Sequence, residues 1–508
     1  MHIAMWCAMA VALVVRVAFL ADKPFWRDEA WVAMLVDDPL RVASDARAVP
    51  IGFVLLTRIF TAIPLLPPEI TYRLLPLVCG MAVLPLLARF ATALGASRHT
   101  ALAVVWLAVG FQPFVYYSRE LKSYEIDVLV AVLLPLLALK GFVAPAAQAA
   151  TRDATSVASR RWLIFGLAIA PWLSFGSVFP ISALLAWGWL VWWWTAAPDR
   201  RRDWILGTLA FAASFAALYV LVLSGQAASP RLHSYWHGQL IAEKQHSWLV
   251  AIPAATWRYA SVSTLYFFAG LWPAFIAVAA VGAWTWPREG RALLVWFCVA
   301  TAGACVLAAV TDRYLLAQGR LLLFAAPVML LWSANGLQEI GRRLRGPLGK
   351  AVVLGIPVLL SLYWSAQSID QRVHPRRTNW TRFFRYDVLQ DVDLAITQAD
   401  RQIPVGDPVL IERKVAYAFQ FYARGRLPQA LFCERYCKDF RSIAKRWLRE
   451  IGQRGWVILS DEEIVSLGKL FDKEGFDHKQ RVSVQGVRVW ELQRRAVKKK
   501  NVRGRPAR

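Results

Sequence analysis

The stretch Ile51-Gly52-Phe53-Val54-Leu55-Leu56-Thr57-Arg58-Ile59-Phe60-Thr61-Ala62-Ile63-Pro64-Leu65-Leu66 decides how the rest of the chain is placed. It is apolar, yet at about sixteen residues, with Arg58 inside and Pro64 near its end, it falls short of the roughly 20 residues a helix needs to cross hydrocarbon. It reads as a helix lying on or dipping into the membrane surface. Its reading matters because one extra crossing reverses the side of everything that follows. Around it run longer apolar segments: Ile3 to Leu20, Leu74 to Ala93, Ala101 to Tyr116, Ile126 to Val143, two within Trp162 to Trp194, Trp204 to Leu223, Val262 to Trp284, Ala292 to Val310, Leu321 to Leu337 and Ala351 to Trp364. These predict about eleven transmembrane helices. If Ile51 to Leu66 stays at the surface, the basic connections all face one side: Arg98; Arg152, Arg160 and Arg161; Arg200 to Arg202; Arg288 and Arg291; Arg342, Arg343, Arg345 and Lys350. Positive connections stay in the cytoplasm. The connections holding Asp28-Glu29, Arg119-Glu120, Ser224 to Ser261 and Asp312 to Arg320 then share the external side, with everything after Trp364.

Composition agrees. The 508 residues are 57% hydrophobic and 18% charged, and the excess of long apolar runs excludes an ordinary soluble core. A net charge of +25 would suggest nucleic acid in a soluble protein; here the arginines fall in short connections between spans, so no nucleic acid partner is expected and membrane lipids are. Ile3 to Leu20 lacks a basic start and a small-residue cleavage site, so it reads as a retained span rather than a secretion signal. Cys7, Cys79, Cys298 and Cys305 lie in apolar stretches and read as small core hydrophobes. Cys433 and Cys437 lie in polar sequence, where an oxidising compartment would allow a disulfide.

The predicted division is 1–366 as a membrane domain, 367–495 as a small α/β domain outside the cytoplasm, and 496–508 as a basic tail around Lys498, Lys499, Lys500 and Arg503. Pro408 to Ile411, Trp456 to Leu459 and Arg481 to Leu492 each read as a strand, and Lys438 to Ile451 as a helix. No phosphate loop, metal-ligand cluster or nucleophile motif stands out in this part, which suits an acceptor-binding or structural cap.

Three places could carry chemistry. In Phe25-Trp26-Arg27-Asp28-Glu29-Ala30-Trp31, two carboxylates lie beyond the first span among aromatics suited to the headgroup zone. Spacing alone allows an exposed loop with Arg27 paired to an acid; the functional reading is a general base in a partly dry pocket. In Tyr116-Tyr117-Ser118-Arg119-Glu120-Leu121-Lys122-Ser123-Tyr124-Glu125, Arg119 and Lys122 suit an anionic group, and Glu120 an acceptor or a metal; the alternative is an interfacial belt. In Asp312-Arg313-Tyr314 to Gly319-Arg320, Arg320 suits a lipid phosphate, or simply snorkels at a helix end. Tyr235-Trp236-His237-Gly238, His246, and Pro171 and Pro180 around Ser174, Gly176 and Ser177 are weaker signals of a sugar-sized cavity.

In order and sidedness these features resemble the C-type (GT-C) glycosyltransferase superfamily, in the bacterial branch related to protein O-mannosyltransferases and lipid A aminoarabinose transferases. The resemblance covers the membrane part to about Trp364. It rests on Asp28-Glu29; on Tyr72-Arg73-Leu74-Leu75-Pro76 running to Gly80; on Tyr117-Ser118-Arg119-Glu120 with Tyr124; and on Gly319-Arg320-Leu321-Leu322-Leu323-Phe324 leading to Pro327. Where many relatives have His-Pro-Pro, this chain has Val49-Pro50-Ile51-Gly52.

The resemblance implies an inverting glycosyltransferase of the cell (inner) membrane. It would take a sugar from a polyprenyl-phosphate donor and pass it to a hydroxyl of a lipid, glycan or protein acceptor. Asp28 would be the base with Glu29 in support, and Glu120 and Tyr124 would form a secondary acidic motif toward the acceptor. Arg320, with Arg313, Lys122 or Arg119, would stabilise the leaving phosphate. A divalent metal is implied for some members and not others. Two other classes fit a polytopic chain: a transporter or flippase, which should show repeated halves, and a non-catalytic envelope assembly protein.

Overall fold

A computed structural model describes residues 2–18, 20, 24–44, 49–63, 66–142, 149–227, 248–268, 272–311, 313–316, 319–344, 346–373, 392–423, 430–432, 440–460, 464–484 and 487–495. Cys433, Cys437, Asp312, the Tyr235 to His246 stretch and the basic tail lie outside these residues. Packing divides the chain into two units, 1–20 with 35–384, and 21–34 with 385–508.

The first unit is helical. Its principal helices are α1 (His2–Val17), α2 (Arg27–Asp37, whose last residues belong here), α3 (Ile51–Thr61), α4 (Leu74–Ala93), α5 (Arg98–Gly110), α6 (Gln112–Tyr117), α7 (Tyr124–Phe142), α8 (Ala149–Leu173), α9 (Val178–Trp187), α10 (Pro198–Leu218), α11 (Trp248–Phe268), α12 (Trp272–Thr285), α13 (Arg288–Val310), α14 (Ala326–Leu344) and α15 (Ile356–Val373). Among the described residues six helical stretches are long and apolar enough to cross a membrane, so this is a multi-pass helical membrane protein. The deciding segment forms α3, eleven residues long, or about 16 Å of helix against a hydrocarbon core of about 30 Å. Phe53, Val54 and Thr57 are buried while Leu55 and Ile59 are exposed, the one-sided burial of an amphipathic contact face. Gly52 lets it close on the end of α8: a Cβ there would stand 2.7 Å from the Trp172 carbonyl oxygen.

Two expectations are corrected. The run Ala101 to Tyr116 is broken into α5 and α6 at Phe111, with Pro113 in the first turn of α6. The single span expected over Val262 to Trp284 falls across α11 and α12, with Pro273 at the second position of α12. A proline there is compatible with a new helix start but not with the interior of a continuing one. Part of the connection expected to be wholly external, from Ser224 to Ser261, is therefore helical from Trp248 onward.

The second unit contains a five-stranded sheet in the order β2-β1-β3-β5-β4, from β1 (Val409–Ile411), β2 (Ala430–Phe432), β3 (Arg454–Ser460), β4 (Phe476–Val484) and β5 (Val487–Arg494). β1 is parallel to β2 and β3, while β5 is antiparallel to both β3 and β4. Helices α16 (Val392–Asp400), α17 (Arg413–Ala423), α18 (Phe440–Glu450) and α19 (Ile464–Lys473) accompany it. Trp447 and Leu448 of α18, Ile451 just after it, and Leu470 and Phe471 of α19 share one core with Leu410, Val457 and Leu459 of the parallel strands. The strands expected at Pro408 to Ile411 and Trp456 to Leu459 and the helix from Lys438 are present as β1, β3 and α18. The one expected over Arg481 to Leu492 is two, β4 and β5, with Val484 paired antiparallel to Val487.

Candidate active site

In the first unit the site grows from the break between α5 and α6. Pro113 has no N–H for the Val109 carbonyl four residues back, and its ring would crowd that oxygen, so the last carbonyls of α5 need other donors. Arg16 of α1, fully buried, supplies them: its guanidinium donates to the Val109 carbonyl at 2.9 Å and to that of Ala108 at 3.3 Å. The charge of Arg16 also acts on Glu125, in the first turn of α7. Glu125 is completely buried, and neither of its carboxylate oxygens meets a hydrogen-bond donor among the described residues. Arg119, equally buried, donates to the Val15 carbonyl at 3.4 Å. A glycine is needed opposite, because a Cβ at Gly80 of α4 would lie 2.7 Å from Ser118 Cβ and 3.5 Å from Glu125 Oε2.

Asp127 stands two positions further along α7. Residues two apart on a helix point about 200° from each other, so the two acids serve different neighbours. The Asp127 carboxylate takes hydrogen bonds from the Ser174 side chain and the Ser177 backbone. These belong to the short turn Phe175–Ser177 between α8 and α9, the break that Pro171 and Pro180 predict. Sequence reasoning missed Arg16, Glu125 and Asp127 as site residues. Their signal was available, since an ionisable group inside an apolar run is itself unusual.

The secondary motif and the glycine-arginine run come together. Arg320 lies over the Tyr124 ring at 6.0 Å, and Tyr124 meets Tyr117 edge-on at 4.9 Å, as Tyr117 does Tyr116. The Tyr124 face thus meets the Arg320 cation. Nearby in sequence, Tyr314 packs on Phe179 at 4.4 Å and its hydroxyl donates to the Leu321 carbonyl. Desolvation there, reinforced by neighbouring Cys305 and Asp127, keeps the phenol protonated well above its ordinary range. Glu120 is buried, Lys122 half-buried and Arg313 exposed. Arg73 is buried at the start of α4, donating to the Leu20 carbonyl at 2.8 Å.

Asp28 and Glu29 belong to the second unit by packing. They occupy the first turn of α2, where negative charge is favoured by the helix dipole. Asp28 is half-buried and Glu29 is 1% exposed. At the carboxyl ends of β1 and β3, buried Glu412 accepts from the Ser460 amide at 2.7 Å. Among the described residues no group of three or more His, Cys, Asp or Glu side chains is arranged to hold a metal ion.

No family model matches the chain, and no curated protein is similar to it in sequence. Solved structures with a similar fold include ArnT from Cupriavidus metallidurans bound to undecaprenyl phosphate, 13% identical, with a TM-score of 0.57 over 96% of this chain and 97% of that one. The Archaeoglobus fulgidus oligosaccharyltransferase in its apo form is 11% identical, with a TM-score of 0.57 over 92% of this chain and 70% of its own. The same enzyme in complex with zinc and sulfate is 10% identical, with a TM-score of 0.55, covering 95% and 72%. At such identities the likeness is one of fold, the fold that ArnT and the oligosaccharyltransferase share.

Proposed function

We propose that the protein is an inverting glycosyltransferase that moves a sugar from a polyprenyl-phosphate donor to a hydroxyl of a lipid, glycan or protein acceptor at the external face of the bacterial inner membrane. The observation that carries this reading is the near end-to-end fold likeness to ArnT, whose structure holds undecaprenyl phosphate. In the proposed reaction Asp28 takes the proton of the acceptor hydroxyl, with Glu29 in support. The acceptor oxygen attacks the anomeric carbon from the face opposite the donor phosphate, and the carbon–oxygen bond to that phosphate breaks. The leaving polyprenyl phosphate carries the displaced electron pair, and Arg320, seated on Tyr124, stabilises its charge. Lys122, Arg119 and Arg313 form the wider basic surround, and Glu120 supports the acceptor side. No step is routed through a metal; the zinc in the oligosaccharyltransferase structure makes divalent ions the first additive to vary. About eleven spans, with the residues from 367 onward outside the cytoplasm, complete the proposal.

The test uses the purified protein in lipid nanodiscs with undecaprenyl-phosphate-linked pentoses and hexoses and a membrane glycolipid extract as acceptor. Released undecaprenyl phosphate is measured for wild type and Asp28→Asn. A folded Asp28→Asn protein that turns over at the wild-type rate would refute the base assignment; donor moved between leaflets of sealed proteoliposomes without cleavage would replace transferase by flippase.

A further inference from the structure

The acidic pair is anchored from the far end of the chain. Phe25, three residues before Asp28, is completely buried. Its ring meets that of Phe421 edge-on at 5.2 Å and lies 6.2 Å from that of Tyr422, and its backbone N–H donates to the Tyr422 hydroxyl oxygen at 2.6 Å. Phe421 and Tyr422 sit in the last turn of α17, the helix that follows β1 and packs on the sheet. Phe25 immediately precedes the two residues that open α2, where the Trp26 carbonyl accepts the Ala30 N–H. Fixing Phe25 therefore fixes where the first turn of α2, and with it Asp28, begins. A backbone N–H taken out of water needs an acceptor, and the Tyr422 hydroxyl, carried on a helix of the folded domain, supplies one at Phe25.

We propose that Tyr422, with Phe421, is a positioning residue: the α/β domain holds the acidic loop in register, so that the domain is part of the catalytic apparatus and not only a cap. This rests on the reading of Asp28 as the base.

The experiment compares wild type, Tyr422→Phe, Asp28→Asn and Ile458→Val, a change at a buried position of β3 in the same sheet, as full-length protein in nanodiscs. Hydrogen exchange is followed by mass spectrometry, and release of undecaprenyl phosphate from the donor panel is followed with kcat and KM separated. Tyr422→Phe keeps the ring and removes only the acceptor oxygen. It is expected to speed exchange in the peptide spanning 25–31 about 2- to 10-fold, leave that of β3 unchanged, and lower kcat about 10-fold at constant donor KM, as a slightly misplaced group does. Ile458→Val is expected to speed exchange in β3 and leave kcat unchanged. Unchanged exchange over 25–31 in Tyr422→Phe overturns the anchor. Faster exchange with wild-type kcat, while Asp28→Asn is inactive, overturns the positioning role. If Asp28→Asn is fully active, the base assignment has failed instead, and the anchor stands or falls on exchange alone.

Discussion

Gly176 is the position where the packing of the helical unit can be tested most directly. A methyl group there would lie 2.6 Å from Asp127 Oδ2 and 2.8 Å from both Cγ and Oδ1, well inside van der Waals contact. Asp127 cannot simply swing aside, because its short side chain leaves a buried helix and is held by Ser174 and Ser177. Gly176→Ala therefore compresses a packed contact, costing about 1–3 kcal/mol, and strains or breaks a buried hydrogen bond worth about 1 kcal/mol more. A total of about 2–4 kcal/mol is expected, read as a fall of several degrees in the melting temperature of the purified protein in detergent, followed by size-exclusion chromatography after heating. Gly303 is the internal control: it sits in α13 with nothing within 4 Å of an added Cβ, so Gly303→Ala should hold or raise the melting temperature through helix propensity. The decisive comparison is the cycle with Asp127→Ala. With the carboxylate gone the added methyl has room, and Gly176→Ala should then cost less than about 1 kcal/mol. An equal cost in both backgrounds would refute the contact with Asp127 as its source, and a wild-type melting temperature for Gly176→Ala would refute the packing itself.

Arg16→Met should destabilise the protein by about 1–3 kcal/mol for each carbonyl left bare, because Ala108 and Val109 lose the donor that Arg16 supplies; a wild-type melting temperature would dismiss those bonds. In the second unit, Glu412→Ala removes the acceptor for the Ser460 amide and should cost about 1–3 kcal/mol, seen as faster hydrogen exchange at the end of β3, while exchange at wild-type rate would dismiss that bond.

Much of this was legible along the chain because hydropathy and periodicity act over short range. Leu74 to Ala93 is a helix with those same limits, α3 is as short as its residues required, and β1, β3 and α18 arise where local pattern placed them. Spans misread by pattern failed at prolines: Pro113 splits one apolar run and Pro273 opens a helix inside another. Mean hydropathy stays high on both sides of each proline, so each run still reads as a single span. Gln485-Gly486 was likewise absorbed into one long strand, since its flanking valines alternate as a single strand's would.

Sequence alone therefore determined that this is a membrane chain and where most of its helices run, and it offered Asp28-Glu29, Tyr117 to Tyr124 and Gly319-Arg320 as candidates for a site. Tertiary structure decided the partners. It seats Arg320 on Tyr124, gives the carbonyls freed by Pro113 to Arg16, turns Glu125 and Asp127 toward different neighbours, and ties Phe25 to Tyr422, 397 residues away. Contacts of that separation depend on how elements pack rather than on any residue's neighbours in the chain, and buried polar groups must find donors or charges wherever the packing brings them.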